Sequence, residues 1–341
     1  MTKHVNIPIF IPHLGCPNMC VFCNQRTISG VDQFDITFVK KTIDETLSSL
    51  SESDEVEIAF FGGSFTGIDR GLMVSLLEIA NEYIKSGKVS SIRCSTRPDY
   101  INEEILEILK KYGVKNVELG LQSTDENVLK ITKRGHGFSE ERKACNLLIE
   151  NGFELVGQMM IGLPGSTLET ELATADFIIG CGAKAARIYP TVVFYGTELC
   201  AMALEGEYIP LSLDNAISRS AAVLEKFVDA SIDVIRIGLC SSDNLLSDKT
   251  YFKGPNHPAL GELVENELYY RKIVKKLSDL DITDINNLEI FVSKGALSKA
   301  IGQKRKNKIR LQNDFGLKRV NFFERSDLRL YEIDLCIENG D

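Results

Sequence analysis

Seven short apolar runs recur along the first 240 residues: "VNIPIFI", "VEIAFFG", "SIRCST", "NVELGLQ", "LVGQMMIG", "AARIYPTVV" and "DVIRIGL". They are of strand length and nearly continuous in apolar character, the pattern of strands buried on both faces. Between them, segments 36–50, 71–86, 102–112, 139–151, 168–180 and 214–230 return apolar residues every three or four positions and predict helices. Strand and helix in alternation predict an α/β fold built on a parallel sheet. Six or seven units are too few for a closed eight-unit barrel and suit a partial one, while periodicity alone leaves a doubly wound open sheet as the alternative. In both, the chemistry belongs at the carboxyl ends of the strands.

One loop at such an end stands out. "GCPNMCVFCNQ", residues 15 to 25, puts Cys16, Cys20 and Cys23 directly after the first strand. Buried small apolar residues are a poor reading, because Gly15, Pro17 and Asn18 mark an irregular loop. A zinc site wants a fourth ligand, and no second CxxC pair or close histidine supplies one beyond His13. Thiolates at CxxxCxxC suit three irons of a 4Fe-4S cube, leaving the fourth iron open to an outside ligand.

Composition sets the compartment in which those thiols act. An apolar fraction of 44% with 26% charged residues is that of an ordinary soluble protein. "MTKHVNIPIF" has no basic stretch followed by an apolar signal segment, and no run is long enough to span a membrane, so a cytoplasmic protein is expected. In a reducing compartment nine cysteines are not a disulfide framework. The other six, at 94, 145, 181, 200, 240 and 336, have no ligand spacing and read as small core residues; Cys94 and Cys240 sit nearest strand ends.

The later motifs extend the cysteine loop into a family pattern. CxxxCxxC after a first strand, with Phe22 before the last cysteine, resembles the radical S-adenosylmethionine (SAM) superfamily. "FFGGSFTG" at 60 to 67 ends the second strand, where that superfamily carries a glycine pair at the methionyl amino group, with Ser64 here replacing the usual acidic residue. From 93 to 199, "STRPDYI", "VELGLQSTDENVLKITKRGH", "MMIGLPGST" and "RIYPTVVFYGTEL" resemble the radical SAM domain of the Elongator catalytic subunit, which modifies the tRNA wobble uridine, and its bacterial relatives. "GLPG" is shared with anaerobic coproporphyrinogen oxidases as well.

Residue by residue, the resemblance implies that Cys16, Cys20 and Cys23 bind one 4Fe-4S cluster whose open iron takes SAM. Gly62, Gly63 and Ser64 then border the SAM amino group, Ser95 and Glu118 face the ribose side with Gln122 beside them, Arg134 pairs with the carboxylate, and Ile161 and Gly162 line the adenine. Each polar assignment has a structural rival. Glu118 and Gln122 also fit a buried hydrogen-bond network, and Arg134 a solvated helix-end charge. His136 and His257 are open between site and capping roles. The chemistry implied is one-electron cleavage of SAM to methionine and a 5′-deoxyadenosyl radical that abstracts a hydrogen atom, with the electron from a donor such as flavodoxin or ferredoxin.

Two departures from Elongator are expected to matter: the chain starts at the first strand without a basic region, and only about a hundred residues follow the last. Acetyl-CoA-dependent carboxymethylation is therefore not carried over.

Those last residues have a charge of their own. Between Lys294 and Arg325 stand ten Lys or Arg against Asp314 and Glu324, a balance of +8 in a chain of net charge −9, which leaves −17 elsewhere. A basic module on an acidic protein points to a localised polyanion site, against the rival of a solvated lysine-rich face. "LEIFVSKGALSKAIGQKRKNKIRLQNDFGLKRVNFFER" reads as strand, short helix, tight loop, helix, strand and resembles the KH module, whose GxxG loop clamps a nucleic-acid backbone. Gly302 is the first glycine, Arg305 stands where the second belongs, and Lys304, Lys306 and Lys308 surround them. Stacking aromatics are sparse there, and Phe315, Phe322 and Phe323 read as core rather than as a platform.

The expected organisation is a partial (β/α)6 TIM-type radical SAM barrel at 1–240, a helical or loop connector at 241–281 and a small α+β KH-like RNA-binding module at 282–341. The expected function is radical SAM modification of a tRNA or rRNA. The alternatives are action on a small molecule or peptide with a structural tail, and a cluster sensor that binds RNA without turnover.

Overall fold

In the computed structural model the described residues are 4–11, 16, 20–24, 34–51, 54–239, 249–279 and 286–338. Seven strands form one parallel sheet in the order in which the chain meets them: β1 (His4–Ile11), β2 (Glu55–Gly62), β3 (Ser91–Thr96), β4 (Val114–Gln122), β5 (Glu154–Ile161), β6 (Ala185–Pro190) and β8 (Asp233–Ile237). Between the last two, β7 (Val193–Phe194) pairs antiparallel with β9 (Tyr251–Lys253) as a separate two-stranded ribbon. The sheet is thus one strand larger than a (β/α)6 count, and its two ends, β1 and β8, do not pair with each other.

The crossover helices are α1 (Thr37–Ser48), α2 (Arg70–Lys85), α3 (Glu103–Lys111), α4 (Glu126–Ile131), α5 (Phe138–Glu150), α6 (Leu168–Gly180), α7 (Glu198–Leu204) and α8 (Leu213–Asp229). Six lie within two residues of the periodic segments read from the sequence; α4 and α7 are too short for periodicity to reveal. Several start where a side chain satisfies an orphan amide: Asp69 accepts from Leu72, Asn102 from Ile105, Thr167 from Thr170 and Ser212 from Asn215. Each such cap contributes about 1 kcal/mol. Their apolar faces, exemplified by Leu76, Leu77, Ile105, Leu109, Leu224 and Phe227, pack on the sheet as a single core.

The span expected as a connector holds a long helix, α9 (Leu260–Ser278), that joins both halves. Its first part gives Leu260, Val264 and Leu268 to the barrel core; its second gives Tyr269, Ile273 and Leu277 to a second core. That second core lies under β10 (Asn287–Ser293), α10 (Leu297–Ile301), α11 (Lys306–Phe315), β11 (Arg319–Arg325) and β12 (Ile333–Glu338). The strand, helix, loop, helix, strand order matches the reading of the tail, and β12 is an addition to it. In this small sheet β10 lies between β11, which is parallel, and β12, which is antiparallel.

One close approach fixes the mouth of the barrel. Gly62 has φ of +117°, and a Cβ there would sit 2.4 Å from the Ile11 carbonyl oxygen on the neighbouring strand. Gly63 N–H donates to that same oxygen at 3.1 Å. Gly62→Ala is expected to cost about 1–3 kcal/mol, read as a lowered urea midpoint. An unchanged midpoint would mean that the two strands separate without cost.

Candidate active site: a charged barrel interior beside three cysteines

Most of the parallel strands carry a polar or charged residue in an otherwise apolar run, and those exceptions meet. Arg93 on β3 donates through Nε and Nη2 to Glu57 Oε2 on β2, at 3.0 and 2.8 Å, and through Nη1 to Glu118 Oε1 on β4 at 3.2 Å. Glu118 also accepts from Arg187 Nη2 on β6 and Gln158 Nε2 on β5, each at 2.7 Å. Ser91 Oγ, Asn116 Nδ2 and His4 Nε2, the last at 3.0 Å from Oε2, complete the shell of Glu57. Two carboxylates and two guanidiniums balance, as buried ions must. Burial alone would raise the Glu57 carboxyl, but the Ser91 hydroxyl and Arg93 outweigh it and hold the group below its ordinary value.

A cavity of about 830 Å³ runs past this network. It extends from His4 and Arg236 to Phe22, Cys23, Gly62 and Gln122 at the carboxyl ends of the strands. Gln122 is strained there: its φ is +70°, the β4–β5 register shifts beside it, and its Oε1 is buried without a partner among the described residues. Strain of that kind, held at a cavity mouth, is typical of a working site.

The three cysteines lie at this end. Cys23 N–H donates to the Cys20 carbonyl at 2.9 Å, and the turn is pinned by Val21, which donates to Thr132 and accepts from Leu199. The Ser64 backbone amide faces the Cys16 thiol. Arg134 Nη1 donates to Cys20 Sγ at 3.3 Å and Arg97 Nη1 approaches it at 3.7 Å. Sulfur that receives guanidinium donors is suited to carry negative charge, as a thiolate ligand does. Among the described residues no three His, Cys, Asp or Glu side chains gather around one point for a single metal ion. A cube in which each thiolate takes its own iron makes no such demand, so the donor set fits a cluster.

Ser95, Glu118 and Gln122 line the cavity together with Gly62. The Ser64 hydroxyl is taken by Thr96 Oγ1 at 2.8 Å and by the Arg97 N–H, so what Ser64 offers the site is backbone. Arg134 is no solvated helix-end charge: it is 4% exposed, on Cys20 and the Gly120 carbonyl, with Nε unpartnered among the described residues. Ile161 and Gly162 end β5 outside the cavity lining. The Ile161 carbonyl accepts from Thr191, the Gly162 N–H goes to Glu171 and its carbonyl to Tyr208, so their expected adenine contact has no free group behind it. His257 Nδ1 accepts from the Ala259 N–H at 3.1 Å, a local turn contact just ahead of α9, whose N-terminus has no side-chain cap. Cys94 is fully buried, and burial followed by Glu118 pushes its thiol up to about 12, which makes it a core residue. His13 and Cys240 lie outside the described residues.

Sequence reading missed Arg97, Arg93 and Arg187. The signal was present as a charge recurring in successive buried strands. Arg97 also continues outward from Cys20: it is bidentate to Asp99 at 2.9 and 3.0 Å, its Nη2 lies 3.2 Å from His136 Nδ1, and His136 Nε2 lies 3.3 Å from Glu141 Oε1. His136 is therefore part of a buried charged chain. Burial opposes charging His136, but Asp99 and Glu141 outweigh it and raise its pKa; burial pushes Glu141 up to about 7 against the pull of His136 and Arg134.

At the tail, Gly302 (φ +79°) ends α10, and Lys304 and Arg305 follow in the left-handed region at +52° and +61° before α11 begins at Lys306. Of the ten tail cations, Lys299 pairs with Glu265, Lys306 reaches Asp214 at 4.0 Å, Arg310 pairs with Glu267 and Arg325 with Asp327 and Asp334. Lys294, Lys304, Arg305, Lys308, Lys318 and Arg319 make no ion pair among the described residues. No described helix is long and apolar enough to cross a membrane.

Comparison with known proteins agrees with this geometry. Residues 10–178 match the radical SAM superfamily and residues 183–270 the Radical_SAM C-terminal domain. The chain belongs to the radical SAM superfamily, a family of enzymes that implies a 4Fe-4S cluster and SAM. An uncharacterised protein of Methanocaldococcus jannaschii is 30% identical over 65% of this chain and 72% of its own length. The tRNA uridine(34) acetyltransferase of Methanocaldococcus infernus is 30% identical over 52% of this chain and 38% of that protein. Elongator complex protein 3 of Mus musculus is 26% identical over 62% of this chain and 46% of its own. The chain thus spans less than half the length of these two relatives. Archaeal Methanocaldococcus infernus Elp3 with an N-terminal deletion shares the fold at a TM-score of 0.60 and 22% identity, covering 81% of this chain and 64% of that one. The Elongator likeness read from the motifs is borne out.

The buried pair gives a pH dependence with a definite sign. Glu141 rises in the folded state from 4.5 to about 7, and His136 rises as well, so the native state holds protons that the unfolded chain releases. Their contribution is full at low pH and is lost as pH rises through about 7. Stability should therefore fall from pH 5 towards 8, and Glu141→Gln should flatten the part between 4.5 and 7, by up to about 1.4 kcal/mol per pH unit. Urea titrations at four pH values measure it; identical slopes in both proteins would show that Glu141 titrates normally.

Proposed function

We propose that the protein is a radical SAM enzyme acting on RNA of the tRNA class. The observation that carries the reading is Cys23 at the mouth of a charged cavity, with Arg97 and Arg134 at the Cys20 sulfur and the Ser64 amide facing Cys16. The three thiolates would hold the cluster. The backbone of Gly62, Gly63 and Ser64 would receive the SAM amino group, Ser95, Glu118 and Gln122 its ribose side, and the unpartnered Nε of Arg134 lies near enough to Cys20 to serve the carboxylate. When bound, cluster and SAM supply a carbon-centred radical. The chain's own part is to orient the reactants, hold the Cys20 sulfur between two guanidinium donors and exclude bulk water along apolar walls such as Phe10, Phe61 and Phe194.

RNA as substrate is supported by the tRNA-acting relatives and by the tail. Lys304 and Arg305 hold left-handed backbone that favours glycine, an unfavourable arrangement whose benefit is two cations projecting from a tight loop. Gly302, Lys304, Arg305, Lys306 and Lys308 would clamp phosphates. Arg305→Gly should raise stability by about 0.5–1 kcal/mol while weakening RNA binding, a trade that a purely structural loop does not make. Replacing Lys304, Arg305 and Lys306 together with Ala should flatten the salt dependence of RNA affinity by about two to three contacts. An unchanged salt slope would rule out this loop.

The decisive assay is anaerobic reconstitution with iron and sulfide, then reductant and SAM, scoring 5′-deoxyadenosine with and without bulk tRNA. The Cys16→Ala, Cys20→Ala, Cys23→Ala variant is the blank. Product rising several-fold with tRNA is expected. Product indifferent to tRNA but absent from the variant would redirect the search to small molecules and peptides.

A further inference from the structure

Sequence periodicity put the tail phenylalanines in the core, and for Phe315 and Phe322 that holds, since both pack against the second core. Phe323 is different. Along β10 the buried apolar residues are Leu288, Ile290 and Val292, with Ser293 buried at the strand end; along β11 it is Val320, and along β12 Ile333. The alternate positions therefore point away from the helices. Phe291 and Phe323 are register partners on that outward face, with ring centroids 5.6 Å apart and planes 29° from parallel. Phe323 remains 42% exposed, and neither ring belongs to a hydrophobic core cluster. The Arg325 guanidinium covers the Phe291 ring at 5.6 Å, held there by Asp327 and Asp334, which leaves Phe323 as the open surface.

We propose that this outward sheet face is a stacking platform for unpaired bases of single-stranded RNA, with Phe323 receiving a base beside Phe291 and Arg325. The inference rests on the RNA reading above and adds a second contact surface to it. The charges select the occupant. Of the carboxylate positions that alternate onto this face, Glu338 ends β12 opposite Asn287 and Asp334 is neutralised by Arg325 and Lys276, which leaves Glu289 in mid-sheet. Against it stand Lys318 and Arg319 at the start of β11 and Lys294 just past the end of β10, all exposed and without an ion pair among the described residues. Because β10 and β11 run parallel, these cations bracket the rings at opposite ends of a seven-residue sheet, roughly 23 Å long. Aromatic rings between flanking cations suit a polyanion whose phosphates lie along the sheet while its bases turn onto the rings. Duplex RNA, with bases already stacked, offers these rings nothing.

The test uses the full chain and a fluorescein-labelled single-stranded RNA 12-mer, with a second probe carrying 2-aminopurine and a duplex of equal length as comparison. Binding should quench 2-aminopurine, and single strand should outcompete duplex. Phe291→Leu with Phe323→Leu should weaken single-strand affinity at least about fivefold, given the usual worth of one stacked base. The salt slope should not change, because no counterion release is lost. Phe291→Tyr with Phe323→Tyr keeps the rings and should restore both affinity and quenching, which separates stacking from a folding defect. If the wild-type chain binds no RNA, the RNA reading itself falls. If it binds and the leucine pair neither weakens affinity nor relieves quenching, the platform alone is overturned. A leucine pair that dissociates a dimer while RNA binding is unchanged would overturn it too, assigning the face to a second copy of the chain.

Discussion

Arg93 is the residue on which the barrel interior depends. Its guanidinium joins carboxylates from the strands on either side, and Glu118 carries the connection on to Arg187 and Gln158. Five consecutive strands are thereby fixed in a single register, since a slip of one residue would turn each charge away from its partner and into an apolar layer. Such a network gives little net stability over apolar packing, but removing one member leaves an uncompensated buried ion at a cost of about 3–5 kcal/mol. It acts as a register lock that also keeps the interior polar, so the cavity is one that hydrophobic collapse does not close.

The same logic places the cysteines. The spacing of the cysteines alone does not fix where three thiols point. The positions come from elsewhere: the Ser64 amide at the end of β2, Arg97 after β3, and Arg134, which is anchored on the Gly120 carbonyl of β4. Two of these donors arise at the carboxyl ends of β2 and β3, and the third, from the loop after α4, is held against β4, so the sheet that the charged network registers also assembles the site at its rim.

Much of this was legible from the chain. The seven parallel strands and six of the helices follow from periodicity, because period 2 and period 3.6 report backbone geometry directly. The cysteine spacing and the glycine pair at 62 and 63 follow from chemistry that tolerates few alternatives. Three things were not legible. Arg93 and Arg187 were hidden because a single charge in a buried strand does not reveal its partner on another strand, and Arg97 because its partners Cys20 and His136 come from distant loops. The backbone partners of Ile161 and Gly162 were hidden as well, since Thr191, Glu171 and Tyr208 come from other parts of the chain. Phe323 was read as core because alternation gives two faces to a strand without saying which one the helices cover; only the placement of α10 and α11 decides that.

The helix α9 has a further consequence. It spends one half in the barrel core and the other in the tail core, so neither body swings freely about a hinge. Nineteen helical residues span about 28 Å. RNA held by the tail as proposed would thus be presented to the cavity at a set offset, in the manner of a ruler. Which nucleotide reacts would then be chosen by distance from the grip, and lengthening α9 by one turn would move the choice along the strand.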